Sequence, residues 1–336
     1  MTTPKNYITT WFYKESDNDN SYYPQIGERG NSALSQSIYM QIQVPFFVTF
    51  KHYNPSAEFI FFTNLQKDEL PDFLLDMFSR LEIRIVTLPY TCRPPKGWYS
   101  SWQNQFYLYD IFKWAETELD EDDTLFICDA DCICHSSLDK LFNMARKDGA
   151  ALYEIITDRK YNINGITLPE MNILYKECYK EEPQREITYY GGELMVFRHD
   201  VIKMINREFP KLWQFNMEFA KRSKFRLNEE AHVMSILAEA LKIRNDHANK
   251  FIKRMWTTPQ FNNIEPCDVE YPIWHLPYEK KRGLYRLYKY FIKNGMHITD
   301  EKEYLKRAKQ YTGIPEVTIT KRIADRIITL YLKLIK

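Results

Sequence analysis

The chain has 336 residues, enough for one large domain or two small ones with a substantial buried core. Its 46 Lys and Arg against 45 Asp and Glu leave a net charge of +1, so no global charge points to nucleic acid. The 10 glycines are few for this length, and neither G-x-x-x-x-G-K-[ST] nor G-x-G-x-x-G occurs, which argues against a P-loop NTPase and a dinucleotide-binding Rossmann enzyme.

In chain order, Tyr7 to Tyr13 reads as a first strand, followed by a polar loop and a helix from about Ser35 to Asn54. Glu58 to Thr63 and Glu82 to Leu88 are apolar, β-branched or aromatic runs of strand length. Between them Leu70 to Leu81 has helical spacing, and a second helix near Ser101 to Leu119 shows Trp102, Phe106, Tyr109 and Phe112 on one face. This alternation implies an α/β fold with a mostly parallel central sheet flanked by helices, and ligands of such sheets sit at the carboxyl ends of strands.

The run Thr124-Leu-Phe-Ile-Cys-Asp-Ala-Asp-Cys-Ile133 is the most informative segment, because strand-like apolar residues end in two carboxylates one residue apart. Alternate side chains of a strand share a face, so this spacing projects Asp129 and Asp131 together from its C-terminal end. Paired hard oxygen donors hold Mg2+ or Mn2+, and such an ion keeps open positions for substrate phosphates. The plain alternative is a polar turn closing a buried strand. Glu121-Asp122-Asp123 already supplies such a turn just before the strand, which favours the metal reading. Cys128, Cys132 and Cys134 cluster beside His135, but their spacing matches no common zinc signature, and an extended strand puts all three sulfurs on the face opposite the aspartates. Buried reduced thiols are expected, which fits a cytosolic location.

In the second half, Tyr189-Tyr-Gly-Gly-Glu-Leu-Met-Val-Phe197 reads as a loop with paired glycines leading into a strand; the glycines serve either close approach of backbone to a ligand or a plain turn. Asn228 to Leu237 reads as a capped helix, with Ala231, Met234, Leu237 and Leu241 at core spacing. Tyr271-Pro-Ile-Trp-His-Leu-Pro-Tyr-Glu-Lys-Lys-Arg282 sets a histidine just ahead of a cationic cluster. From about Thr320 the tail places Ile323, Ile327, Leu330, Tyr331 and Leu334 on one side and Lys or Arg on the other. Such a helix lies on an anionic membrane surface or packs on the body of the protein. Leu284 to Asn294, mixing aromatics with Arg286, Lys289 and Lys293, adds to the membrane side. The start, Met-Thr-Thr-Pro-Lys-Asn, shows no signal peptide, and no stretch reaches the ~20 apolar residues of a bilayer span.

Together, the strand and helix alternation, the Asp-x-Asp strand end, the Gly-Gly loop before a strand, the acidic pair opening a helix and the late Trp-His with trailing basic residues resemble the GT-A fold nucleotide-sugar glycosyltransferases, particularly the metal-dependent branch with galactosyl- and glycogenin-like enzymes. The resemblance spans roughly Tyr7 to Arg282. It implies a Rossmann-like GT-A domain over residues 1–282, with a nucleotide-binding half over 1–135 and an acceptor-binding half over 136–282. A basic, aromatic helical extension over 283–336 follows.

The resemblance also implies Mn2+ or Mg2+ held by Asp129, Asp131 and His275 and bridging the donor diphosphate, with Ala130 between the carboxylates and Lys280, Lys281 or Arg282 on the phosphates. The family often has a Gly-containing sequence between the late His and its phosphate-binding Lys, whereas here Gly283 follows the basic cluster. Thr9, Thr10 and Tyr13 take the place of the base and ribose contacts, and Arg93, Lys96, Trp98 and Gln103 are assigned to phosphate or sugar hydroxyls. The general base of an inverting reaction would be Glu229 or Glu230, then Glu193. Acids in a helix first turn also serve the helix dipole alone, and a retaining enzyme needs no such base.

The activity implied is hexosyl transfer from a nucleotide-diphosphate donor, UDP-sugar favoured, to a hydroxyl of a cell-surface glycan or glycolipid, in the cytoplasm at the inner face of the membrane. The expected partners are that donor and a glycan or lipid-linked acceptor, with peripheral membrane contact through the C-terminal helices and no nucleic acid. Two alternatives stand beside it. A sugar-phosphate nucleotidyltransferase normally carries a Gly-rich loop after its first strand, where this chain has Thr10-Trp-Phe-Tyr-Lys14. A non-catalytic sugar-nucleotide-binding relative would keep the fold without the chemistry.

Overall fold

The computed structural model describes residues 3–19 and 21–334, the side chains of residues 333 and 334 excepted. The opening Met-Thr of the leader reading, the Leu334 side chain and Lys336 of the tail reading thus lie outside the described residues.

The α/β class expected from the alternation is found. Strands β1 (Asn6–Phe12), β4 (Glu58–Thr63), β5 (Ile83–Thr87), β6 (Thr124–Cys128), β8 (Ala150–Glu154) and β9 (Tyr190–Arg198) form a mostly parallel sheet in the order β5-β4-β1-β6-β9-β8. Strands β7 (Cys132–Cys134), β10 (Ile252–Arg254) and β11 (Ile273–His275) make a small second sheet, and β2 (Tyr22–Tyr23) pairs with β3 (Glu28–Arg29). The helices are α1 (Ala33–Tyr53), α2 (Asp72–Arg80), α3 (Leu108–Glu118), α4 (Asp139–Asp148), α5 (Leu168–Tyr179), α6 (His199–Phe219), α7 (Glu230–Ala240), α8 (Gly283–Lys293), α9 (Glu301–Thr312) and α10 (Ile319–Leu334). The chain separates into two compact units, each assembled from several stretches.

The first unit comprises Ile8–Thr87, Cys128–Lys140 and Lys250–Lys336. Helix α1 opens at Ser32, whose hydroxyl accepts the Ser35 N–H at 3.2 Å. Midway along α1, the Thr49 hydroxyl donates to the Pro45 carbonyl at 2.8 Å and accepts the Cys134 N–H at 3.0 Å. Tyr304 of α9 donates to the Cys134 carbonyl at 2.9 Å. Side chains thus satisfy the end of β7 where its own sheet does not. Helix α8 buries Leu284, Leu287, Tyr288 and Phe291, so the apolar side of the 284–294 segment is core rather than membrane surface. Helix α10 is different: Lys321 and Leu332 are buried, while Ile319, Ile323, Ile327, Leu330 and Tyr331 are exposed.

The second unit comprises Met1–Tyr7, Leu88–Ile127 and Leu141–Asn249. The expected helix over 101–119 starts late: Trp102 has φ 46°, outside the right-handed helical region, and only after a tight turn at Gln105–Tyr107 does α3 begin. Phe106, Tyr109 and Phe112 are buried as the spacing indicates, and Trp102 is half-exposed. The paired glycines do not form a loop. Gly191 and Gly192 lie inside β9, which pairs antiparallel with β8.

Candidate active site

The acidic motif sits in the turn between β6 and β7, closed by the Cys132 N–H on the Asp129 carbonyl at 3.3 Å. Strand β6 ends just before the carboxylates, while Cys132 and Cys134 belong to a second strand in another sheet, and Asp129 and Asp131 project from the turn that joins the two. The β7–β11 pairing is antiparallel with Cys132 opposite His275. That register delivers the imidazole to the residue just before Cys132, and the Leu276 N–H continues it with a 2.9 Å bond to the Asp131 carbonyl. Nε2 of His275 lies 3.3 Å from Asp131 Oδ2 and 3.6 Å from Asp129 Oδ2. A tight turn at Pro277–Glu279 then returns the chain, so that Lys280 Nζ pairs with the same Asp131 oxygen.

Asp131, His275 and Lys280 are 2%, 4% and 6% exposed, whereas the Asp129 side chain is 44% exposed and marks the open side of the group. Burial alone would push the Asp131 carboxyl up, but Lys280 and then His275 outweigh it and hold it well below the usual carboxylate range. Burial opposes the Lys280 charge in turn, and Asp131, Tyr39 and Asp129 reverse that and raise it. The pair is ionised at neutral pH. The Tyr39 ring of α1, which no motif signals, lies 5.8 Å from Lys280 Nζ and packs edge-on to Tyr23 at 5.2 Å. Lys281 donates to the Ile26 carbonyl at 2.5 Å, and Arg282 stacks on Tyr278 at 3.8 Å. Of the basic trio, Lys280 is hydrogen-bonded to the acidic motif through Asp131.

The donor atoms of Asp129, Asp131 and His275 all lie within 4.8 Å of one another. An octahedral divalent ion with bonds of about 2.1 Å keeps neighbouring ligands about 3 Å apart, close to the observed imidazole–carboxylate separations. Two carboxylates and one imidazole suit Mn2+ or Mg2+ in charge and hardness, so the residues fit such an ion. A second acidic group, Glu265, Cys267 and Asp268, already has Lys253 on both Asp268 oxygens at 2.9 Å. None of the six cysteines is in a disulfide; Cys128, Cys132 and Cys134 are buried, and burial pushes the Cys134 thiol up to about 12.

The proposed bases lie in the second unit. Glu229 occupies the N-cap position of α7, and its carboxylate accepts from Asn164 Nδ2 at 2.6 Å and the Tyr189 hydroxyl at 2.7 Å, with His232 Nε2 at 3.1 Å. His232 accepts the Asn228 N–H on Nδ1 and faces the Ile163 carbonyl with Nε2 at 3.0 Å, which fixes the Nε2–H tautomer. Asn228 thus braces the helix start through His232 rather than acting as its cap residue. The glycines have a steric purpose: a Cβ on Gly192 would stand 2.1 Å from Glu230 Oε1, and one on Gly191 would stand 2.2 Å from Glu193 Oε2. Glycine here makes room for two buried carboxylates.

The other residues assigned from sequence lie in both units. Thr9 and Thr10 are in β1 and essentially inaccessible, and the buried Tyr13 donates to Asp19 at 3.3 Å. In the second unit, Arg93 is exposed over the Tyr90 ring, Lys96 is exposed in the turn closed by Trp98, and the Gln103 carbonyl accepts from Tyr90 at 2.7 Å. Trp98 is buried and donates to the Leu227 carbonyl at 3.1 Å.

No family model matches the chain, and no curated protein matches it in sequence. Among solved structures it is similar to mouse xyloside xylosyltransferase 1, with 8% identity and TM-score 0.46 over 81% of this chain and 98% of that one. It is similar to the galactosyltransferase LgtC, with 14% identity and TM-score 0.46 over 95% and 99%. The glycosyltransferase GlyE of Streptococcus pneumoniae matches with 12% identity and TM-score 0.42, over 90% of this chain and 63% of GlyE.

Proposed function

We propose that the chain is a glycosyltransferase that binds a nucleotide-diphosphate sugar, UDP-linked, at Asp129, Asp131 and His275 and passes the sugar to a hydroxyl acceptor. The observation that carries this reading is the convergence of two carboxylates, an imidazole and a buried ammonium on one turn. Taking such a cluster out of water is costly for folding, a cost that ligand chemistry explains. A divalent ion held by the three groups would neutralise charge on the departing nucleoside diphosphate. Lys280 is the cation positioned to meet a phosphate oxygen and to stabilise the charge that develops as the glycosidic bond breaks. Glu229 or Glu230, then Glu193, is the proposed base of an inverting reaction.

The acceptor proposed is a cell-surface glycan or glycolipid met at an anionic membrane surface. Among the described residues no helix is long and apolar enough to cross a membrane. Helix α10 instead presents Ile319, Ile323, Ile327, Leu330 and Tyr331 to solvent along one face, with exposed Arg322 and Arg326 at its edge. Apolar and basic strips side by side favour an in-plane helix on anionic lipid.

The test is release of nucleoside diphosphate from a panel of UDP-sugars with Mn2+ present. One of them should be turned over by the wild type and not by Asp131→Asn; equal release by both proteins would remove the site from the reaction.

A further inference from the structure

The turn that carries Lys280 has a second buried charge on its other side. Glu279 is fully buried, and its carboxylate receives Lys321 Nζ at 3.0 Å on each oxygen, the Gly283 N–H at 2.9 Å and the Thr257 hydroxyl. Lys321 is itself 2% exposed, lies in the first turns of α10 and also reaches Asp325 at 2.6 Å. The fit is close: a Cβ on Gly283 would come within 2.7 Å of Glu279, and one on Gly313 within 2.7 Å of the Lys321 side chain. The backbone is equally constrained, since the Glu279 N–H bonds to the Leu276 carbonyl at 3.0 Å and the Arg282 N–H to the Glu279 carbonyl at 2.9 Å. Adjacent residues of one tight turn therefore carry two buried ion pairs, Glu279 with Lys321 and Lys280 with Asp131.

We propose that Lys321 is a positioning residue of the donor site: through Glu279 it fixes the 276–282 turn and so holds Lys280 against Asp131. This rests on the reading of Lys280 as the phosphate-facing cation and adds that the C-terminal helix is part of the site's framework. Removing one partner of a buried pair strands a charge, whereas replacing both with neutral groups is much milder, so two variants separate positioning from simple unfolding.

The experiment needs no nucleotide. Reductive methylation of the intact chain, read by mass spectrometry at Lys280, compares wild type with Lys321→Met and with Lys321→Met/Glu279→Gln, and uses Arg326→Ala on the same helix as control. Lys280 should be methylated slowly in the wild type and the control, and at least about tenfold faster in whichever tethering variants remain folded by circular dichroism. If Lys321→Met unfolds, the double variant carries the test. Folded tethering variants that protect Lys280 as well as the wild type does would overturn the proposal. The nucleotide reading is judged separately by UDP titration of the wild type, whose failure would leave the labelling result standing.

Discussion

The imidazole of His275 stands 3.3 Å from Asp131 Oδ2 because β11 runs antiparallel to β7 with His275 opposite Cys132. Lys280 closes on that same oxygen from the following turn.

Lys280 thus shares an oxygen with the proposed metal site, which gives the Lys280→Met variant two opposite effects. Asp131 loses its buried counter-charge, and stability should fall by about 3–5 kcal/mol in the absence of metal. Mn2+ should then restore much of the melting temperature and bind at least as tightly as to wild type, while UDP binding weakens. Unchanged stability in the variant would mean that the ion pair is not formed in solution.

Gly192 is predicted to be intolerant of a side chain because Glu230 fills the space. Gly192→Ala should lose about 1–3 kcal/mol of stability in denaturant unfolding, the usual cost of overpacking. Adding Glu230→Ala should recover part of that loss, a non-additivity expected of touching residues. Strictly additive losses would show that the two do not compete for volume.

Acid sensitivity follows from His232. Burial, opposed by Glu229, holds its pKa below the ordinary 6.5. As pH falls below that value the unfolded chain gains a proton that the folded one refuses, so the contribution is present above about 6.5 and is lost toward the depressed folded value. His135 acts in the same direction, while Glu15 and Glu279, raised by burial, oppose it at lower pH. Thermal unfolding of wild type and His232→Gln at pH 7.5 and 5.5 should show the gap between them narrowing on acidification, by at most about 1.4 kcal/mol per pH unit. A gap independent of pH would place the depressed titration elsewhere.

Membrane docking by α10 predicts that Ile323→Glu/Ile327→Glu weakens co-sedimentation with phosphatidylglycerol vesicles at least about tenfold and leaves folding intact. Wild-type protein that ignores anionic vesicles would remove the membrane from the account.

The alternation of strand and helix was legible because periods of 2 and 3.6 differ over short windows. Asp129 and Asp131 are singled out by side-chain chemistry and spacing, and His275 by the family resemblance, but nothing local specifies the β7–β11 register that gathers them. The change of sheet after Asp129 is not legible in the sequence because apolar residues flank that turn on both sides. Trp102 looked helical by spacing, yet its positive φ defers the helix. The Gly191-Gly192 pair reads as a loop because sequence does not reveal that Glu193 and Glu230 occupy the space beside it. Lys321 was one basic residue among several on a terminal helix, and its burial against Glu279 is a purely tertiary fact.

Calorimetric titration of UDP with and without Mn2+, on wild type and Asp131→Asn with GDP for comparison, asks whether the acidic turn is a metal-dependent nucleotide site. UDP binding should require Mn2+, exceed that of GDP and be lost in the variant. UDP binding indifferent to Mn2+ and to Asp131, or no binding of either nucleotide, would contradict it.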